Sequence, residues 1–390
     1  TRRDVVITGI GLVSSLGEGP EAHWAALNNG AKPVVDAASF APFPVHPLPA
    51  LSLDAQIPKK GDQRQMEPWQ RLGTYAAGLA IDHAGARGLV SDMHLVVAAG
   101  GGERDVAVDE AVTAALTSAA PEASGALLNE KLATELRPTL FLAQLSNLLA
   151  GNISIVHGVT GSSRTLMGEE EAAADAIRIA AARLAEGRGE IALVGGAFAS
   201  QRWDMVLLYA PGGVLWQGDY APISARGDAG GLMLGAMAAF LVLETAEHAQ
   251  ARGAKALARI GGIASDAAHQ RAGGGSAAAA TALWQGMAGS SAGLGVISGM
   301  TGVAEARVEE EAFLATLGGA AVRRSGSVLG HGVEASFPAN VALAALALSQ
   351  NGFYPKMDPA DAGDGAVERI LVTGFGQWRG EALALLEKAP

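Results

Sequence analysis

The sequence predicts an α/β protein whose sheets are covered by helices on both faces and whose body repeats itself once. Three observations carry this. Apolar runs of strand character recur, each beside glycine: DVVITGIGLV near the start, HLVVAAGGG near 94, NISIVHG near 152, EIALVGGAF near 190 and AAFLVLE near 238. Between them stand helical stretches rich in Ala and Leu, WQRLGTYAAGLAIDHAGARG and EEAAADAIRIAAARLAEGRG. Strands alternating with helices are the pattern of layered α/β proteins. The third observation is a restart after about residue 255. ALARIGGIASDA opens the second part as DVVITGIGLVSS opens the first, and RILVTGFGQWRGEALALLE closes it much as EIALVGGAFAS with AAFLVLE closes the first. Such a weak internal repeat predicts two halves, 1–250 and 251–390, fused without a linker. The proline-rich stretch 33–67 breaks the pattern and is expected to run over the surface.

Composition narrows the function classes. Of 390 residues, 49% are apolar and 17% charged, which requires a large core. Thirty-nine acidic against 28 basic residues give a net charge of −11, which works against phosphate-driven nucleic-acid binding. With no cysteine, disulfides, zinc–thiolate sites and a thiol nucleophile are excluded. The N-terminal TRRDVVITGIGLV lacks a signal-peptide core, and the longest apolar stretch, GLMLGAMAAFLVL, falls short of the roughly 20 residues of a membrane span. A cytoplasmic protein is expected.

Several motifs fail on context. GIGLVSSLG at 9–17 and GGG at 100–102 follow predicted strands, but neither completes GxGxxG, and no tyrosine has a lysine four residues on. Around Ser291, GSSAG matches GxSxG, yet a helical pattern precedes it and a strand follows, the reverse of a nucleophile elbow. The histidines, His23, His46, His83, His94, His157, His248, His269 and His331, show no metal-ligand spacing, so no metal is expected. Only His331 has an unusual setting, flanked by glycines in SGSVLGHGVEASFPAN at a predicted turn before an apolar helix.

Taken in order, RRDVVITGIGLVSSLG, LLAGNISIVHGVTG, LAEGRGEIALVGGA, FLVLETAEHAQARGAKALARIGG, SGSVLGHG and TGFGQ resemble the β-ketoacyl-acyl-carrier-protein synthases, the decarboxylating condensing enzymes of fatty-acid and polyketide synthesis. The resemblance implies the thiolase fold, two similar halves in a five-layered α-β-α-β-α body, normally dimeric. It implies no resident cofactor; the ligand would be an acyl chain or the phosphopantetheine of a carrier protein. In that family a cysteine at a buried helix N-terminus carries the acyl group as a thioester, its thiolate favoured by the helix dipole. Two histidines stabilise the charge that develops as malonyl-carrier protein loses carbon dioxide.

Counting between GNISIVHGVTG and AEGRGEIALVGG places Glu170 at the nucleophile position. The first histidine becomes Gly299, a lysine five residues before the second histidine becomes Gly326, and the second histidine is retained as His331. The acyl-pocket gate GFGG reads GFGQ and keeps Phe375. A carboxylate forms no thioester under ordinary conditions, and loss of one oxyanion donor typically costs about 10²–10³ in rate. Nearest in pattern are the chain-length factors of aromatic polyketide synthases, inactive partners of a condensing subunit, with a Glu-Gln pair at the nucleophile position and an aspartate five residues on. Glu169-Glu170 and Asp175 occupy those places, with Glu for Gln at 170.

The leading expectation is a non-condensing partner subunit, associating with an active β-ketoacyl synthase subunit or with a second copy of itself, and with acyl carrier protein. Two alternatives remain open: a residual malonyl-carrier-protein decarboxylase or acyl-transfer enzyme using His331 and Glu170, and a structural homodimer with a filled pocket. The run EEE also has a plain reading, since acidic residues suit the first turn of any helix. Because consecutive helical positions point about 100° apart, only one of the three can enter a given pocket. Glu170 is expected there, with Glu169 and Glu171 toward neighbouring loops or a dimer contact.

Overall fold

The computed structural model describes residues 2–266, 274–287, 289–365, 367–377 and 380–390, so His269 lies outside the described residues. Among the described residues eleven strands are formed: β1 (Val5–Ser14), β2 (Gly17–Glu18), β3 (His94–Ala98), β4 (Ser163–Leu166), β5 (Ile191–Phe198), β6 (Met237–Thr245), β7 (Ala258–Asp266), β8 (Leu294–Ser298), β9 (Ala321–Arg324), β10 (Arg369–Phe375) and β11 (Glu381–Glu387). Apart from β2, which pairs with β1, they are ordered β4-β3-β5-β6-β1-β7-β11-β10-β8-β9. That order is a palindrome of topology. Each half has three parallel strands, β4-β3-β5 or β9-β8-β10, followed by two antiparallel ones. The halves meet where β1 pairs briefly with β7 through Val6–Arg259 and Ile7–Ala258.

Two central helices lie between the half-sheets. The first, Glu169–Ala185, packs on β3 and β5 of one half and on β7 and β11 of the other. The second, Ser336–Ser349, packs on β6 and on β10, and against the first. Alanine builds this layer: Ala172, Ala173, Ala174, Ala176 and Ala180 are buried on the first helix, and the second is buried from Phe337 to Leu348. Short side chains favour the helix and let it approach sheets on both sides. Outside, Pro68–His83 covers the first half-sheet and Gly275–Gly286 with Ala304–Ala315 flank the second, completing five layers.

Two expectations are corrected. NISIVHG belongs to a helix, Leu148–His157, which buries Leu149, Ala150, Ile153 and His157 and ends at left-handed Gly158 (φ 74°). A short apolar run has no decisive period, and here packing against Pro68–His83 settles it. Nor is 33–67 confined to the surface: Phe40, Val45, His46 and Ile57 are buried, and the His46 carbonyl accepts from the Ala236 N–H and from Ser200 Oγ.

Helix Pro68–His83 starts with a reciprocal capping box between Glu67 and Gln70 and lies directly on β1. Closeness depends on glycine. A Cβ on Gly9 would stand 2.5 Å from the Ala80 carbonyl oxygen, and one on Gly11 would overlap that of Ala76. Gly11→Val should therefore lower the unfolding free energy by about 1–3 kcal/mol, the usual cost of overpacking, read from urea denaturation.

Candidate functional site

The chain enters the first central helix through Gly168 (φ 143°) and Glu169 (φ 59°), a non-glycine residue in the left-handed region. This turn aims Glu170 inward, where it is only 6% exposed, while the helix N-terminus provides a favourable field for its charge. Its Oε1 lies 2.7 Å from Nε2 of His331, itself 3% exposed, and its Oε2 accepts from the Gln377 backbone N–H at 3.4 Å. Burial by itself pushes the Glu170 carboxyl up, but the His331 hydrogen bond and charge, with backbone N–H donors, outweigh it and hold the carboxyl below its ordinary value. An ionised carboxylate only accepts, so His331 Nε2 carries the shared proton. His331 is held by its backbone: its N–H donates to the Met233 carbonyl and its carbonyl accepts from Gly235.

Gly299 and Gly326 stand on the other side of His331. Its backbone N–H bonded to the Thr373 carbonyl, Gly299 sits so close that a Cβ there would be 2.5 Å from that oxygen. Gly326 begins a short turn of helix under the Met300 carbonyl, 2.8 Å from where its Cβ would stand. Together with His331, Ser325 and Asn340 they line a cavity of about 10 Å³, space for about one water molecule. The positions expected to hold a histidine and a lysine are thus nearly closed by backbone.

The remaining expected positions separate. Phe375 is not brought to the pair: its ring packs 6.1 Å from that of Phe313, in the outer core of the second half with Trp284 and Leu383. The GFGQ loop contributes the Gln377 N–H to Glu170. Asp175, one and a half turns into the helix, accepts from Ser265 Oγ of β7 at 2.8 Å and pairs with Arg178. Glu171 lies toward Gly380, where a Cβ would come against its carboxylate. Ser291 follows helix Gly275–Gly286 and precedes β8, and among the described residues no group of three or more His, Cys, Asp or Glu could hold a metal.

A larger cavity, about 720 Å³, opens beside Glu169. Its apolar lining includes Trp69, Met167, Phe198, Met205 and Leu208, and its polar lining Glu169, Arg202, Asp204 and Glu334. Buried Arg202 grips Asp204 through two hydrogen bonds of 3.0 and 2.7 Å. Burial pushes the Glu334 carboxyl up to about 7, and does the same to nearby Glu103. Val333, which precedes Glu334, also has a left-handed backbone (φ 47°). Two of three left-handed non-glycine residues among those described thus line one cavity, and strain of this kind concentrates at functional sites. Sequence reading singled out the GGG at 100–102 but missed Arg202, Asp204 and Glu334. The linear signal was weak, Glu334 standing three residues after His331, because the cavity is assembled from segments after β3, β4 and β5, from the start of helix Pro68–His83 and from the turn at Val333 and Glu334.

Comparison with known proteins gives the class first. The chain superposes over its whole length on the ishigamide ketosynthase/chain length factor, with a TM-score of 0.81 at 21% identity and full coverage of both chains, which shows the thiolase fold. The family description "Beta-ketoacyl synthase, N-terminal domain" matches residues 2–249, and the chain belongs to the β-ketoacyl synthase family. It is 30% identical over 281 residues, 69% of this chain and 65% of the relative, to 3-oxoacyl-[acyl-carrier-protein] synthase 2 of Vibrio harveyi. It is 31% identical over 277 residues, 67% of this chain and 63% of the relative, to the tetracenomycin polyketide synthase ketoacyl synthase beta subunit of Streptomyces glaucescens. These matches span a little under two thirds of the relatives' length. Among the described residues no helix is long and apolar enough to cross a membrane.

The buried pair makes two measurable demands. His331→Ala leaves the Glu170 carboxylate buried without its principal donor and should cost about 3–5 kcal/mol in urea unfolding near neutral pH. For pH dependence the signs differ between groups. Glu170, held low, contributes stability that is present above its unfolded value of 4.5 and lost as pH falls through its folded value. Glu334 and Glu310, both raised to about 7 chiefly by burial, act oppositely: the folded state holds their protons longer, so stability falls as pH climbs from 4.5 to 7. Buried His46 and His157, both lowered to about 4, oppose that fall over the same window, so the carboxyl share is read by difference: in urea denaturation, stability of Glu310→Gln should fall less steeply, or rise more steeply, with pH than that of the wild type.

Proposed function

We propose that this chain is a non-condensing partner subunit of an active β-ketoacyl synthase, of the chain-length-factor type, and that it shapes the chain-binding cavity of the assembly and so helps set product length. The observation that carries the reading is the Glu170–His331 contact of 2.7 Å. Where the resemblance expects a thiolate there is a carboxylate, and the retained histidine spends its Nε2–H on that carboxylate. With no cysteine anywhere in the chain, no thioester can form on the protein by the family's route. The void beside Gly299 and Gly326, about 10 Å³, has no room for a second donor and a substrate thioester together.

The surface supports a partner. β4 is an edge of the sheet, and an edge strand presents unpaired backbone groups suited to pairing with another chain. Met167, which follows it, and Leu208 across the larger cavity are 63% and 60% exposed, and such apolar exposure beside an edge suits a protein contact. An acyl chain delivered by a carrier protein fits the apolar lining of that cavity. Its volume also speaks against a pocket filled throughout, as a purely structural homodimer would have. Decarboxylation by His331 is disfavoured, because the donor it requires is already engaged.

Purified alone and supplied with acyl- and malonyl-carrier protein, the chain should give no elongation and the same background release of carbon dioxide as its His331→Ala variant. Mixed with a cysteine-bearing synthase from its own genome it should co-elute as a heterodimer, and Leu208→Trp should shorten the products of the pair. Elongation by the isolated chain would sink the proposal.

A further inference from the structure

Glu334 has no evident structural employment. It is 6% exposed and lines the larger cavity, and the one hydrogen bond its carboxyl receives among the described residues comes from its own backbone N–H. The carboxyl lies against the backbone of Gly100, where a Cβ would come within 2.6 Å of Oε1. Glycine at that position leaves the room the carboxyl uses. Strained Val333 (φ 47°) sets its direction, and a β-branched residue held in the left-handed region carries strain that the surroundings must offset.

The cationic side chains of the wall do not bond to it. Arg202 is engaged by Asp204, and Arg104 by Asp109 at 2.8 and 3.1 Å. Groups acting on Glu334 from neighbouring elements are Glu170, which opposes its ionisation, and Arg202 and His331, which favour it, the latter already committed to Glu170. A buried carboxyl without an outside donor next to an apolar cavity lacks a counter-group, and a ligand can supply one.

Resting on the reading of this cavity as chain-binding, we propose that it takes an apolar chain carrying a primary amine, with the ammonium paired to Glu334. Trp69, Phe198, Met205 and Leu208 contact the chain while Glu334 neutralises the head. A carboxylate head would meet like charge at Glu334. A hydroxyl would satisfy a hydrogen bond but leave the charge unpaired.

The test is isothermal titration at pH 8 of the intact chain with octylamine, octan-1-ol and octanoate. Octylamine should bind at least about tenfold tighter than either isostere, the increment of a weak desolvated ion pair. In Glu334→Gln that preference should disappear. Met205→Trp, which fills the cavity, should abolish binding of all three. Equal binding of octanol, tighter binding of octanoate, a preference that survives Glu334→Gln, or amine binding retained in Met205→Trp would each overturn the assignment, and the comparison on the wild-type chain stands even if a variant fails to fold. No synthase or carrier protein is present, so the outcome is independent of whether the chain condenses: an amine preference can fail while the partner-subunit reading holds, and the reverse.

Discussion

A carboxylate taken out of water must be matched where it lies, and the centre of this protein is organised by that requirement at Glu170. The helix N-terminus supplies a favourable field, Gln377 an N–H, and His331 the principal hydrogen bond. Each donor comes from a different part of the chain, and each is fixed by something else: the helix by two half-sheets, Gln377 by the end of β10, His331 by backbone bonds to Met233 and Gly235. Removing one member of such a set leaves an unmatched charge, so the pair behaves as a unit. The glycines beside it complete the closure, since their backbones fill the space that longer side chains would have needed.

The start of the helix therefore has two chemically different sides. On the Glu170 side polar groups satisfy one another and leave room for about one water. On the Glu169 side the same turn opens into a large, mostly apolar cavity in which, among the described residues, Glu334 is not matched by another residue's donor. Two adjacent glutamates can serve such opposite surroundings because the backbone passes through a left-handed conformation at the first of them before the helix begins. A void of about one water molecule and a large, mostly apolar cavity are thus separated by one residue.

Much of the fold was legible in the sequence. Glycine-bounded apolar runs located β1, β3, β5 and β6, and the restart near 255 located β7 and the closing pair, because half-sheets buried on both faces demand nearly continuous apolar strands. Leu148–His157 was misread because seven apolar-rich residues fit either period until a neighbour is known. The site was legible in part. Motif counting singled out Glu170, Gly299, Gly326 and His331, which the fold brings beside one another, since spacing between well-marked segments survives where individual residues change. The direction of the Phe375 ring was not, because it depends on which face of β10 meets the outer helices.

Alone, the sequence determined the layered two-fold architecture, the absence of any thiol, and which residues the resemblance sets at the family's catalytic positions. These are properties of composition, periodicity and order. Only the tertiary structure decided that Glu170 and His331, 161 positions apart, share one proton, that the glycine positions collapse to a water-sized void, and that Glu334 lines a second cavity. The reason is geometric: a hydrogen bond depends on separations of a few tenths of an ångström between elements that the chain's order leaves unconstrained.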